Sequence, residues 1–258
     1  MMSYVKPKKH FGQHFLNDDG IARQISQSLT LHRGYKEILE IGPGTGVLTR
    51  FLFQNTHVHT RLIEIDSEAY DYLLAKYPER KDDIILGDFL KLNLPTMFTE
   101  PFAIIGNFPY NISSQILFAV FEFRNLVPEV VGMFQKEVAA RIASPPKSKA
   151  YGILSVLLQA FYDIEYLFTV DETSFNPPPK VKSAVIRLKR NDVQALDCDE
   201  KRFVAVVKQA FNQRRKTLRN ALRGLNMKPA LLASPILNQR AEQLSVAEFV
   251  EITNQIIF

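Results

Sequence analysis

Apolar positions fall into short runs whose period changes along the chain. Ile21, Ala22, Ile25 and Leu29 stand three and four residues apart, the spacing of one helical face, so a helix is expected over 21–31. Glu37-Ile-Leu-Glu-Ile41 and Thr60-Arg-Leu-Ile-Glu-Ile65 are β-type runs. Each precedes a helical pattern, Val47–Phe53 and Ser67–Tyr77, with Ser67 expected as the N-cap of the latter. Ile84–Leu86, Phe102–Gly106 and Val130–Phe134 read as further strands. Helices are expected over Ser113–Phe123, Lys136–Ala143 and, as a buried one, Tyr151–Phe161. Strands alternating with helices at this spacing predict a parallel sheet with crossover helices. Ile164–Val170 and Val181–Leu188 are β-rich and too closely connected for a helical crossover, which predicts an antiparallel hairpin at the sheet edge. Beyond Lys189 only helical periodicity remains, in Phe203–Phe211, Thr217–Leu222 and Val246–Ile257. The polar stretch 189–199 therefore reads as a boundary between an α/β domain over 1–190 and a helical domain over 191–258. Residues 1–19 are polar, basic and aromatic, more like an arm than a core element.

Composition narrows the class. Apolar residues make up 46% of the 258 and charged residues 23%, which supplies enough apolar surface for a core and excludes disorder as the main state. No run approaches the roughly 20 apolar residues of a membrane span, and the basic start lacks the apolar stretch of a secretory signal. A single cysteine, Cys198, suits a reducing compartment. A soluble cytoplasmic protein with no membrane partner is expected. The net charge of +5 is unevenly placed: Arg187 to Lys228 holds 12 basic and 4 acidic residues, or +8. Such a band is the footprint of a polyanion site or simply a solvated helical face.

Chemistry enters at Glu40-Ile-Gly42-Pro-Gly44-Thr-Gly46, between the first strand and its helix. Glycines there allow a tight turn and close approach of a ligand to the backbone. The dinucleotide fingerprint requires glycine at 47, where this chain has Val47. An acid followed by G-x-G-x-G suits a nucleoside without a pyrophosphate. Glu64, at the end of the second strand, is placed to grip ribose hydroxyls, with Asp66 as the competing residue. Asp88, after the third strand, either accepts from an adenine amine or caps a turn. Together these describe a pocket for S-adenosylmethionine.

The fourth strand ends in Asn107-Phe-Pro-Tyr110, ordinary turn residues when taken alone. After this glycine loop it is the Asn-x-Pro-Tyr form of the class I aminomethyltransferase motif. An adenine N6 amine is a poor nucleophile because its lone pair is delocalised into the ring. The amide oxygen of Asn107 and the carbonyl of Pro109 supply two acceptors for its N–H groups, and proline adds no competing donor. Tyr110 offers a face on which the base stacks. No metal is needed, since the leaving group is already cationic.

The chain resembles the KsgA/RsmA family of 16S rRNA adenine N6,N6-dimethyltransferases. The resemblance runs from residue 8 to about 223, through Phe11-Gly-Gln-His-Phe-Leu-Asn17, the glycine loop, Ile63-Glu-Ile-Asp66, Gly87-Asp88 and Gly106-Asn-Phe-Pro-Tyr-Asn-Ile-Ser113. It continues through Phe175-Asn-Pro-Pro-Pro-Lys-Val-Lys-Ser-Ala-Val185 and Phe211-Asn-Gln-Arg-Arg-Lys-Thr-Leu-Arg-Asn220. It implies a Rossmann-like class I S-adenosylmethionine-dependent methyltransferase sheet with a small all-helical C-terminal domain. It also implies dimethylation of two adjacent adenosines near the 3′ end of 16S rRNA, in the precursor of the small ribosomal subunit, by a monomer. His14 and Leu16 match residues that close over the cofactor, although the family often has asparagine at 14. Gly42 and Gly44 match the loop, Glu64 the ribose ligand and Asp88 the adenine ligand. Asn107 matches the residue bridging cofactor and target amine, and Phe175 the aromatic that sandwiches the adenine against Tyr110. Phe108 replaces the commoner leucine and is expected in the core. Arg214, Arg215, Lys216 and Arg219 are expected to track RNA phosphates, or in part to serve structure, Arg219 above all. Lys6, Lys8 and Lys9 read as a flexible or RNA-contacting arm.

Three rivals share parts of this pattern. The Erm group, which methylates large-subunit rRNA, has the same fold and motif, but Gln213-Arg-Arg-Lys-Thr-Leu-Arg219 and the triple proline speak against it. A DNA adenine methyltransferase carries a different motif form and a target-recognition domain, so DNA is not the expected partner. A non-catalytic assembly factor would not need Glu64, Asp88, Asn107, Pro109 and Tyr110 together.

Overall fold

Strands form where apolar side chains occupy both faces of the chain, as a sheet covered on both sides requires. The structure, a computed structural model, describes residues 5–257. Seven strands make one sheet: β1 Glu37–Ile41, β2 His59–Glu64, β3 Ile84–Leu86, β4 Phe102–Asn107, β5 Glu129–Gln135, β6 Tyr162–Val170 and β7 Ser183–Arg190. Their order is β3-β2-β1-β4-β5-β7-β6. The first five run parallel, with Ile41 beside Ile63, Glu64 beside Leu86 and Gly106 beside Gly132. β7 is antiparallel to β5, and β6 and β7 are hydrogen-bonded neighbours at the sheet edge. Residues 102–105 are 0% exposed, which places β4 in the middle of the core.

Caps and turns set where the helices begin and end. The helix Ser67–Lys76 is capped by Asp66, not Ser67. Asp66 has the extended backbone of a cap (φ −84°, ψ 112°), and its side chain accepts from Glu68 N at 3.0 Å, while Ser67 is already helical. The first helix, Asp19–Gln27, stops before the predicted end at Leu31. Buried Glu129 takes the Thr30 N–H at 3.0 Å, the Thr30 hydroxyl at 2.7 Å and the Tyr35 hydroxyl at 2.8 Å. Those bonds compete with a further helical turn. After β1, Gly42, Gly44 and Gly46 all have left-handed φ, between 57° and 73°, which other residues adopt only with strain.

The chain divides into two compact units, residues 1–139 with 163–190, and residues 140–162 with 191–258. Sequence periodicity assigned 140–162 to the sheet domain. Its helix Ile153–Gln159 is instead tied within the second unit: Ser155 Oγ donates to Arg141 O at 2.6 Å, Gln159 Nε2 to Ile142 O at 2.9 Å, and Lys147 N to Glu242 O at 2.7 Å. That unit also holds the helices Glu200–Asn212 and Val246–Asn254, with Phe203, Val206, Phe249 and Ile252 fully buried. It is not all helical. The last helix ends at Asn254, and Ile256–Ile257 pairs antiparallel with Asn226–Met227, which buries Ile256.

Phe108 lies in the core as expected, 1% exposed and edge-on to Phe134 at 5.1 Å. Its ring occupies space left by two glycines. A Cβ on Gly106 would meet Ile41 O at 2.7 Å and the Phe108 ring at 2.8 Å. Gly106→Ala is therefore expected to lower stability by about 1–3 kcal/mol, read as an earlier urea midpoint at unchanged slope. Gly224→Ala, where nothing lies within 4 Å, should leave the midpoint within about 0.5 kcal/mol of the parent.

Candidate active site

Chain order in the sheet reverses between β1 and β4: one connection leads from β1 towards β2 and β3, and the next returns to β4 on the other side. Open α/β sheets bind ligands at such a point, outside the carboxyl ends of the strands. Asp88, Glu64, the glycine loop and Asn107 follow or end four strands that lie side by side. Together with the arm residues Phe11 to Phe15 they line a cavity of about 330 Å³.

Glu64 is 2% exposed. Its Oε2 accepts from Gly44 N at 2.9 Å and its Oε1 from Asp66 N at 3.0 Å. Burial raises its carboxyl above the ordinary range, and the two backbone donors oppose that shift. Each oxygen keeps acceptor capacity, so the group fits a diol. Asp66, the competing residue, does not line the cavity. Its side chain is spent on the helix cap, Lys8 Nζ at 2.7 Å and Gln13 Nε2 at 3.2 Å. Lys8 is thus committed to the body of the domain, not free for RNA, and the Lys9 side chain lies outside the described residues. Asp88 both lines the cavity and caps a turn, accepting from Leu90 N at 3.0 Å.

At the other side of the cavity, Asn107 Nδ2 donates to His14 O at 2.9 Å, which leaves its Oδ1 to act as an acceptor. Pro109 O takes Ile112 N at 3.2 Å and retains a second lone pair. The Tyr110 hydroxyl lies 2.5 Å from Ser183 Oγ. Its ring is stacked against that of His14, with centroids 5.4 Å apart and planes 28° off parallel. His14 Nδ1 donates to Pro177 O at 2.8 Å.

Leu16 and Phe175 do not line this cavity, although Leu16 borders a smaller one with Phe15, Gly42 and Asn107. Leu16 and Phe175 are 4% and 3% exposed, belong to one core cluster with Ile105 and Met133, and pair in a two-residue antiparallel ladder. Alternation along an extended chain is the cause: Phe15 lines the cavity and packs on Gly44, so Leu16 faces the core. The ring stacked on Tyr110 is His14, not Phe175. Gln13, Phe15, Ile65 and Leu90 also line the cavity and were not singled out from sequence. Ile65 and Leu90 are 45% and 36% exposed, apolar surface that a flat base can cover.

A family model described as ribosomal RNA adenine dimethylase matches residues 5–257. The chain belongs to the ribosomal RNA adenine dimethylase family. A ribosomal RNA small subunit methyltransferase A from Cytophaga hutchinsonii is 60% identical over 255 residues, 99% of each chain. A solved dimethyladenosine transferase from Plasmodium falciparum is 23% identical, with a TM-score of 0.76 over 95% of this chain and 100% of that one, a likeness of fold. The 23S rRNA methyltransferase ErmE is 26% identical, with a TM-score of 0.68 over 93% of this chain and 100% of that one. The Rossmann-like class I methyltransferase fold expected from the sequence is the one this dimethylase has.

In the second unit, Arg214, Arg215 and Lys216 lie in a turn between two helices, and Arg219 lies in the second of them, Leu218–Ala221. Arg214 donates to Lys149 O and lies 4.0 Å from Glu242, and Arg219 donates to Leu232 O at 3.2 Å. Arg215 and Lys216 are exposed, and no side-chain hydrogen bond or ion pair holds them among the described residues. No helix of the described residues is long and apolar enough to cross a membrane. No group of three His, Cys, Asp or Glu among them is placed to hold a metal.

Beneath the glycine loop, Glu40 is fully enclosed and accepts from Thr49 Oγ1 at 2.7 Å. Burial pushes its carboxyl up to about 8, against the opposing Thr49 hydrogen bond. The folded state therefore holds a proton that the unfolded chain releases near pH 4.5, and stability falls as pH rises from there through about 8. Glu40→Gln, which cannot ionise, is expected to remove roughly 3–5 kcal/mol of that decline. Urea midpoints of parent and variant between pH 5 and 9 check it; parallel curves would contradict it.

Proposed function

We propose that this dimethylase methylates N6 of two adjacent adenosines near the 3′ end of 16S rRNA, acting in the cytoplasm as a monomer on the precursor of the small ribosomal subunit. The 60% identity to a protein named ribosomal RNA small subunit methyltransferase A, along nearly the whole of both chains, supports the small-subunit target over the large-subunit one. S-adenosylmethionine is the methyl donor and supplies an electrophilic methyl group on a cationic sulfonium.

The observation that carries the residue roles is the orientation of Asn107. One of its two amide N–H groups donates to His14 O, which fixes the amide plane, and its oxygen is the atom able to accept from the substrate amine. With the second lone pair of Pro109 O, it provides two acceptors at the end of β4. Bonds from both N–H groups of the amine to these acceptors favour a pyramidal nitrogen and free its lone pair for attack. The methyl group bonds to N6 as the carbon–sulfur bond breaks, sulfur leaves as a neutral thioether, and one N6 proton passes to solvent. Catalysis of this kind consists of orientation and preorganised hydrogen bonds. Tyr110, fixed through its hydroxyl to Ser183, is the stacking platform. His14 occupies one face of that ring and yields it to the incoming base. Glu64 holds the ribose of the donor, Asp88 its adenine, and Gly42 and Gly44 its amino-acid end. Arg215 and Lys216 take phosphates, while Arg214 and Arg219 brace the turn that presents them.

Transfer of labelled methyl groups to small subunits lacking dimethyladenosine tests the reading, with nucleoside analysis expected to find N6,N6-dimethyladenosine. Label on large-subunit RNA alone would overturn it. Asn107→Ala is expected to slow transfer about 10²–10³-fold. Tyr110→Phe should stay within about threefold of the parent, and Tyr110→Ala should lose tenfold or more, on the order of one base-stacking interaction. Arg215→Gln with Lys216→Gln should weaken subunit binding and lower its salt dependence by about two counterions.

A further inference from the structure

Residues 11–15 of the arm form one wall of the donor cavity, and the arm is fastened at two ends. The far end is held by Asn107 Nδ2 on His14 O, His14 Nδ1 on Pro177 O, and the pairing of Leu16 with Phe175. At the near end most of the polar ties converge on one buried carboxylate, Asp66, and Lys8 Nζ also lies 3.2 Å from the more exposed Glu68 Oε1. Asp66 Oδ1 accepts from Lys8 Nζ at 2.7 Å and Oδ2 from Gln13 Nε2 at 3.2 Å. Gln13 Oε1 in turn accepts from Lys8 N at 2.8 Å, and Phe11 N donates to Lys8 O at 3.1 Å. The segment is thereby closed into a turn, with Gly12 at its left-handed position, φ 65°.

The Asp66 side chain is 0% exposed and that of Lys8 25% exposed. Burial works against the Asp66 charge, yet the bonds from Lys8, Gln13 and Glu68 N outweigh it and hold the carboxyl below its ordinary range. A carboxylate that serves only as a helix cap needs neither Lys8 nor Gln13. The main chain of the same residue points the other way, its N–H orienting Glu64 Oε1 at 3.0 Å. One residue therefore sets both the floor and the lid of the pocket.

We propose that Asp66 is a positioning residue for the methyl donor, latching the arm over the cavity through Lys8 and Gln13. The proposal rests on the cavity being the donor site. Releasing the latch frees Phe11 to Gln13 from the ligand while His14 stays held by Asn107 and Pro177, so affinity falls and the reacting geometry is kept.

Lys8→Gln and Asp66→Asn separate this role from folding, because asparagine still caps a helix and Lys8 lies outside any helix of eight or more residues. Each is expected to raise the Kd for S-adenosylhomocysteine and the KM for S-adenosylmethionine about five- to tenfold, as a partly exposed charge-assisted contact warrants. Turnover should stay within twofold, and the double variant should be no worse than either single one. Amide exchange at residues 11–13 should quicken in both, with or without ligand. Unchanged Kd and exchange in Lys8→Gln would reduce Asp66 to a helix cap and overturn the latch. A fall in turnover at unchanged KM would also overturn it. If the parent chain bound no S-adenosylhomocysteine while exchange still rose in the variants, the latch would stand and the donor assignment would fail.

Discussion

Strands that run in the same direction end at the same edge of their sheet. The residues that end or follow β3, β2, β1 and β4 are therefore set in a row, with neighbours about 4.8 Å apart and the whole row spanning roughly 14 Å. That span accommodates a nucleoside with an amino acid attached. Asp88, Glu64, the glycine loop and Asn107 occupy the row in spatial order, although the chain reaches the glycine loop first. The reversal of strand order between β1 and β4 opens the crevice at the position where the donor's methyl group must face an acceptor. Gly106 and Gly132 belong to the same constraint. The strands can keep their register with Phe108 packed across both residues because neither carries a side chain.

Three acids of the site, Glu40, Glu64 and Asp66, are each no more than 2% exposed, and their surroundings give them different tasks. Glu40 meets a single hydroxyl and is driven towards neutrality beneath the loop. Glu64 meets two backbone N–H groups that hold its oxygens in place but do not cancel the effect of burial. Asp66 meets a lysine, an amide and a helix start, and stays charged. Burial disfavours charge in all three; the number and kind of donors decide how far each one yields.

Much of this was legible in consecutive residues. Each predicted strand is present, with ends shifted by a residue or two, because an apolar run flanked by turn residues is a local signal. The glycine loop and Asn107-Phe-Pro-Tyr110 were legible for the same reason, and Phe108 was correctly placed in the core. Ser67 was mistaken for the cap that Asp66 provides, since both residue types cap helices and only backbone angles separate them. Leu16 and Phe175 carry motif positions yet face the core. The helix Ile153–Gln159 is apolar on most of its surface, so its pattern did not say which core would receive it. Four cations of one tract looked alike, but two of them are spent on backbone carbonyls.

Periodicity, glycine positions and the order of motifs are properties of neighbouring residues. The sequence by itself therefore determined the parallel sheet, the ligand-binding loop, the acceptor motif and the family. Which carboxylate faces the ligand, which lysine is free and which ring covers Tyr110 depend on contacts between residues far apart in the chain. Lys8 meets Asp66 across 58 positions, Asn107 meets His14 across 93, and His14 meets Pro177 across 163. Those pairings are decided by tertiary structure, because a side chain's bonding capacity is local while the partner that fills it is brought by the fold.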